Sequence, residues 1–264
     1  MMGTRFSLVD SFTDRPFAGN PAGVCLLTLP RKNDWMQSIA AEIGASETAF
    51  IIPDWDGWML RWFTPKVEVD LCGHATLAAA HVLWEGGFLP ADSKARFQTR
   101  SGVLTAARRG EWIEMDFPAT AVGEAIAVDG ELTKLLGAKP VAAWDAGWTR
   151  LVELNGERDV REARPDFAAM AAGGWGSAIV TARGETPGVD FVSRFFAPAV
   201  GINEDPVTGS AHCVLGPFWA KRLGRDELVA RQVSARGGAV RVRVDGERVK
   251  LSGQAVTTLK GELT

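Results

Sequence analysis

A carboxylate, a histidine and a thiol are the groups in this chain best suited to proton chemistry. Glu47 lies in Ala45-Ser-Glu-Thr-Ala-Phe-Ile51, at the mouth of an apolar segment. Desolvation there would raise its pKa and make the carboxylate a stronger base toward a carbon-bound proton. The competing reading makes Ser46 and Glu47 a turn that closes the preceding helix. His74 follows Gly73 in Gly73-His-Ala-Thr76. It could donate a proton or orient a ligand, and it could equally serve as a capping or core histidine. Gly73 opens a strand-to-helix turn whose backbone N–H groups can receive a carboxylate. Cys72 precedes it and is a second acid/base candidate. Asp205 sits in Asn203-Glu-Asp-Pro-Val-Thr-Gly209, where Asp-Pro also reads as a plain turn initiator.

The turn occurs twice. Arg61-Trp-Phe-Thr-Pro65 and Leu71-Cys-Gly-His-Ala-Thr76 correspond to Arg194-Phe-Phe-Ala-Pro198 and Val207-Thr-Gly-Ser-Ala-His212. Gly73 and Gly209 stand 136 positions apart. At that offset Arg100/Arg236, Gly102/Gly238, Gly110/Gly246, Glu111/Glu247 and Ala119/Ala255 coincide. Composition alone would give about one or two such matches over this stretch. Two similar halves can offer two helix N-termini to one anion. The repeat is unequal in its chemistry: Thr208 takes the place of Cys72, and no acid in the second half corresponds to Glu47.

The elements that must hold these residues follow from periodicity and punctuation. Strands are expected at Arg5–Val9, Gly23–Leu29, Thr48–Ile52 and Trp58–Phe63. A helix is expected at Asp34–Ile43, with its N-cap at Asn33 or Asp34. His74–Trp84 is apolar nearly all round and reads as an enclosed helix. Arg96–Arg100, Val103–Arg108 and Trp112–Phe117 read as strands, with a hairpin at Arg109-Gly-Glu111. In the second half, strand signals flank Gly147 within Ala143–Leu154 and return at Trp175–Thr181 and Val189–Phe196. A helix begins at Pro165, and another spans Ser210–Leu223 with a bend expected at Gly216-Pro217. Four strands close the chain: Leu228–Ala235, Ala239–Val244, Arg248–Ser252 and Val256–Leu259. Pro118–Asp129 reads as a linker, dividing the chain into domains 1–118 and 119–264.

Composition narrows the function classes. The 264 residues carry a net charge of −3 and 46% hydrophobic residues, which suits two ordinary soluble cores. Neither nucleic acid nor a membrane is an expected partner. Three cysteines, Cys25, Cys72 and Cys213, point to a reducing cytoplasm. Tyrosine is absent, so phenol chemistry is excluded. No P-loop, G-x-G-x-x-G, H-E-x-x-H or G-x-S-x-G motif occurs, and three scattered histidines do not suggest a metal site.

The chain resembles the PhzF family, the phenazine-biosynthesis-like proteins, within the diaminopimelate epimerase-like superfamily. The resemblance rests on Val9-Asp-Ser-Phe-Thr-Asp-Arg-Pro-Phe-Ala-Gly-Asn-Pro-Ala-Gly-Val24, Ser46-Glu-Thr-Ala-Phe50, Phe63 to Leu77, Asp116-Phe-Pro118 and Gly201 to Ala211. It implies an α+β fold of two pseudo-symmetric domains, each a mostly antiparallel sheet rolled round a central helix. It also implies a homodimer without cofactor or metal, acting on a small carboxylate-bearing molecule bound between the domains. By residue match, Glu47 becomes the proton shuttle. His74, Asp205 and Ser210 become the accompanying polar groups, Gly73 and Gly209 the carboxylate clamp, and Asn20 a neighbour of the site.

The leading expectation is a cofactor-independent isomerase that moves a carbon-bound proton. One alternative is an amino acid or hydroxy acid racemase using Cys72, against which the single in-register thiol argues. Another is a non-catalytic module binding a small anion or a protein.

Overall fold

A computed structural model describes residues 3–264. The chain divides into two compact units, one comprising residues up to Asp116 together with Ser252–Thr264, the other Phe117–Leu251. Its elements, in chain order, are β1 (Thr4–Ser11), β2 (Asn20–Leu26), α1 (Asn33–Ile43), β3 (Glu47–Asp54), β4 (Gly57–Phe63), β5 (Glu68–Val69), α2 (Gly73–Glu85), β6 (Ala95–Thr99), β7 (Gly102–Arg109) and β8 (Trp112–Pro118). They continue with β9 (Ala125–Ile126), α3 (Gly130–Leu136), β10 (Pro140–Asp145), β11 (Arg150–Leu154), α4 (Glu157–Glu162), α5 (Phe167–Ala172), β12 (Ala178–Arg183), β13 (Phe191–Ala197) and β14 (Ile202–Asp205). The last are α6 (Gly209–Leu223), β15 (Glu227–Gln232), β16 (Gly238–Asp245), β17 (Arg248–Gly253) and β18 (Ala255–Leu263).

In the first unit the strands run β18–β1–β2–β3–β4–β6–β7–β8. All neighbours are antiparallel except β2/β3 and β4/β6, and β5 pairs with the end of β4. Helix α2 touches β18 and β1 near one edge and β7 near the other, so the sheet curls round it. Its enclosure explains its sequence. His74 to Ala80 and Val82 to Trp84 are buried, a pattern that leaves no polar face.

The second unit repeats this plan. Its strands run β9–β10–β11–β12–β13–β15–β16, with parallel pairs only at β11/β12 and β13/β15. Helix α6 packs on β15 and β16. A bidentate ion pair recurs at the same place: Arg61 grips Glu68 through Nε and Nη2 at 2.7 Å each. Arg194 grips Glu204 in the same way at 2.7 and 2.9 Å.

Several sequence expectations change. Residues 252–264, assigned to the second domain, belong with the first, because β18 pairs with β1 from Thr4↔Leu263 to Ser11↔Ala255. The supposed linker contains β9, which pairs with β10. Helix α1 starts one residue after Lys32, whose side chain caps nothing; Asn33 Oδ1 instead accepts from Arg61 Nη2 at 2.9 Å. Pro165 lies just outside α5, whose N-cap is Asp166, accepting from the Ala169 N–H at 3.0 Å. Pro217 does not break α6. The carbonyl it leaves without an intrahelical donor is that of Cys213, which accepts from the Thr120 N–H at 3.0 Å. Gly216 serves packing: a Cβ there would meet Val242 Cγ1 at 2.8 Å, so α6 lies close on β16. Among the described residues, no helix is long and apolar enough to cross a membrane.

Candidate active site

Strand pairing brings the polar candidates of the first unit to one place. β1 and β2 pair Ser11 with Asn20, and β2 and β3 pair Ala22 with Glu47. Ser11, Asn20, Ser46 and Glu47 therefore gather at one end of three adjacent strands. The N-terminus of α2 is tied to that end by Ser11 Oγ, which donates to the His74 carbonyl at 2.8 Å. The Thr76 hydroxyl donates to the Cys72 carbonyl at 2.6 Å and secures the first turn.

The His74 imidazole is held on both nitrogens and is 5% exposed. Asn20 Nδ2 lies 3.3 Å from Nδ1, and Ser46 Oγ donates to Asn20 Oδ1 at 3.1 Å. An amide donor at Nδ1 assigns the ring proton to Nε2. That nitrogen stands 3.2 Å from Glu47 Oε2 and 3.3 Å from Ser46 Oγ. Cys72 Sγ is 3.5 Å from Nδ1. Burial raises the Glu47 carboxyl above its usual range, while hydrogen bonds from Ser46 and Cys72 act in the opposite direction. Glu47 thus stays inside the hydrogen-bonded group instead of capping α1, whose C-terminus ends at Gly44 in the left-handed region.

In the second unit the equivalent turn is built differently. The Thr208 hydroxyl donates to Asp205 Oδ2 at 2.5 Å. Gln232 Nε2 donates to the Asp205 carbonyl at 2.7 Å, and Gln232 Oε1 accepts from the Thr208 N–H at 2.9 Å. His212 Nδ1 contacts the Thr208 carbonyl at 2.8 Å, as Thr76 does with Cys72 in the first unit. Gly209 is buried and Ser210 is exposed beside it. Cys213, one turn further on, is buried and its thiol is pushed up to about 12, so it is no second acid/base thiol. Cys25 is likewise buried and raised to about 12.

The structure joins Asn20, Glu47, Gly73 and His74 in one cluster, and sets Asp205, Gly209 and Ser210 around the start of α6. Sequence reasoning missed Ser11, Ser46 as a ring-holder, and Gln232. Gln232, at the end of β15 and 1% exposed, is a buried amide, and a buried amide needs partners. It also missed that Glu47, Cys72 and His74 each place one donor atom within 4.8 Å of the others, because residues 47 and 72 become neighbours only through the fold.

The PhzC-PhzF family, described as phenazine biosynthesis-like protein, matches residues 9–261. The chain belongs to the PhzF family. Among PhzF-like relatives, an uncharacterized isomerase of Halalkalibacterium halodurans is 48% identical over 100% of this chain and 99% of its own. An uncharacterized isomerase of Pseudomonas aeruginosa is 50% identical over 99% of each chain. A PhzF-family crystal structure from Enterococcus faecalis superimposes with a TM-score of 0.95 at 41% identity, covering 100% of both chains. The diaminopimelate epimerase-like fold extends beyond the PhzF family: a hydroxyproline epimerase from Agrobacterium vitis shares it with a TM-score of 0.66 at 12% identity, covering 98% of this chain and 92% of that one.

Proposed function

We propose that this PhzF-family chain is an isomerase that moves a carbon-bound proton within a small carboxylate-bearing molecule, with Glu47 as the shuttle and no cofactor. The observation that carries this reading is the Glu47–His74 contact of 3.2 Å in a buried group that raises the Glu47 carboxyl. A partly desolvated carboxylate is a stronger base than one in water, and a neighbouring imidazole N–H steadies it once charged. Glu47 takes a proton from a carbon made acidic by the adjacent carboxylate. The charge then spreads onto that carboxylate, and Glu47 returns the proton to another carbon of the same molecule. The backbone at Gly73–His74 and Gly209–Ser210 receives the carboxylate, because the first turn of a helix directs N–H groups and positive dipole outward. Asp205 and Ser210 orient the substrate, and Asn20 holds the His74 ring. A cyclic amino acid-like substrate and a homodimer complete the reading suggested by the family resemblance.

The racemase alternative keeps one supporting observation, the hydrogen bond of Cys72 to Glu47. Its weakness is the second half, where Thr208 stands in register and Cys213 is a buried thiol.

The test is proton exchange in D2O, followed by NMR on a panel of cyclic and acyclic amino and hydroxy acids. Deuterium at a substrate carbon, or a moved double bond, that is lost in Glu47→Gln supports the shuttle. Exchange that survives Glu47→Gln but not Cys72→Ala supports the racemase. Ligand-induced stabilisation without exchange supports the binding module.

A further inference from the structure

The hairpin that joins β10 to β11 holds a tryptophan half in water, on the face of the sheet that carries Asp205. We infer that Trp148 is a specificity-determining residue of the substrate site, its indole forming a wall for the ring of a planar cyclic carboxylate. The inference rests on the reading that the start of α6 receives the substrate carboxylate. It adds the side chain that meets the carbon skeleton.

Strand alternation fixes the placement. Phe195 pairs with Asp205 across β13 and β14, so their side chains share one face. The neighbouring residues Arg194 and Glu204 close their ion pair on the opposite face. The Trp148 ring lies 5.7 Å from the Phe195 ring, centroid to centroid. Trp148 is therefore on the side of Asp205, whose carboxylate accepts from Thr208, the residue just before α6. The repeat points to the same place. In the first unit β1 ends at Ser11 and β2 begins at its partner Asn20, inside the polar cluster. In the second, β10 ends at Asp145 and β11 begins at its partner Arg150, and the turn between them presents Trp148.

The turn is braced, yet the indole is not absorbed into the core. Gly147, at φ +78°, takes the left-handed position, and its N–H donates to Asp145 Oδ1 at 2.9 Å. The Ala146 N–H donates to the Thr149 carbonyl at 2.9 Å and closes the hairpin. Thr149 is buried, and its hydroxyl accepts from Ser177 Oγ at 2.9 Å. Trp148, between these anchors, is 48% exposed. A large side chain already held on a rigid turn gives up little further freedom when a ligand covers it. Its flat face matches a planar ring, whereas a short acyclic acid leaves that face wet. Trp148 moves no proton; it selects which skeletons are held beside Asp205.

Sodium benzoate and sodium propionate are the probes, a carboxylate with a planar ring and one without. Each is titrated into the purified full-length chain while nitrogen-15 spectra follow the Trp148 indole and the Gly209 amide. The indole peak is assigned by its absence from Trp148→Ala, and a thermal melt establishes that each variant is folded. Both acids should move Gly209. Benzoate alone should move the Trp148 indole, and it should bind about 3- to 10-fold more tightly than propionate. Trp148→Ala should abolish that preference and leave propionate unchanged, and Trp148→Phe should restore most of it. Trp55→Ala is the control, because Trp55 is exposed beyond the end of β3 opposite Glu47, and its loss should change neither affinity. If Gly209 responds but the parent protein shows no preference, or the preference survives Trp148→Ala, the role of Trp148 is overturned. If Gly209 is silent towards both acids, the carboxylate reading is overturned and the inference with it. No turnover enters any readout, so a failed exchange assay remains a separate result.

Discussion

His74 Nε2 and Glu47 Oε2 stand 3.2 Å apart although 26 residues separate them in sequence. The contact is made by two elements that meet at one sheet end. β3 begins with Glu47 where β2 delivers Asn20, and α2 begins one residue before His74. The pair is therefore a product of strand register.

Glu47→Gln keeps shape and removes the proton acceptor. Deuterium incorporation into substrate should fall by about 100- to 10,000-fold, the usual worth of a positioned general base. Thermal stability should change little, because the side chain is retained in size. The check is NMR-monitored exchange beside a calorimetric scan.

Asn20→Ala should act through the ring it holds. Asn20 is fully buried and contacts both His74 and Ser46, so the variant leaves two polar groups short of a partner. A loss of about 1–3 kcal/mol is expected from urea unfolding. Nitrogen-15 shifts of His74 should also show a mixture of tautomers where the parent protein shows Nε2–H.

Gly19→Ala should disturb the same strand end from the backbone. Gly19 has φ +65°, and a Cβ there would run into the Ser11 carbonyl and the Thr13 side chain. Ser11 pairs with Asn20, so the clash falls on the register that aims the site. The expected cost is roughly 2–4 kcal/mol, combining strain and overpacking. Gly44→Ala is the control, since its φ is +67° but the space around it is open.

His212 gives stability a pH dependence. Complete burial holds its imidazole down to about 4, from 6.5, while Nδ1 meets the Thr208 carbonyl. The folded state keeps this ring neutral and the unfolded chain protonates it near 6.5. Its contribution is therefore fully present above that pH and is lost as pH falls from 6.5 towards 4. The loss amounts to about 3 kcal/mol over the window. His212→Asn retains a donor for Thr208 and cannot titrate. Urea midpoints measured across this range should decline less steeply in the variant.

The repeated ion pairs should prove unequal. Arg194 is 10% exposed in its side chain, and its Nη1 also donates to the carbonyls of Val160, Arg161 and Ala163. Arg61 is 20% exposed, and Arg100 also contacts Glu68 at 2.7 Å. Arg194→Met should cost about 3–5 kcal/mol, since it removes the bidentate partner of Glu204 and the donor that serves the carbonyls of Val160, Arg161 and Ala163. Arg61→Met should cost about 1–2 kcal/mol, because Arg100 remains on Glu68. Chemical unfolding of both variants measures the difference.

Local signals made much of this architecture legible. The apolar run of α2, the Gly110 hairpin and the strand of Val240, Val242 and Val244 announce themselves through periodicity. The glycine-led turns and the family motifs led to Glu47, His74 and Asp205. What stayed hidden depends on distant partners. Thr120 satisfies the carbonyl opposite Pro217, and the helix runs on through a residue that usually ends one. Asn33 has the right side chain for a cap, but the Arg61 guanidinium claims it. Ser46 looked like a helix stop, and only the fold brings His74 beside it. The short helices α3 and α4 carry too few residues for a periodicity to emerge from sequence.

The placement of β18 has a consequence for the history and the synthesis of the chain. In the second unit the strand beside β10 is β9, which precedes it; in the first, the strand beside β1 arrives last. The two copies run in the same order in sequence, so each yields its last strand to the other unit: β9 pairs with β10 in the second and β18 with β1 in the first. A ribosome reading this gene completes the second copy while the first still lacks its outermost strand. The half encoded first is the half that must wait to be finished.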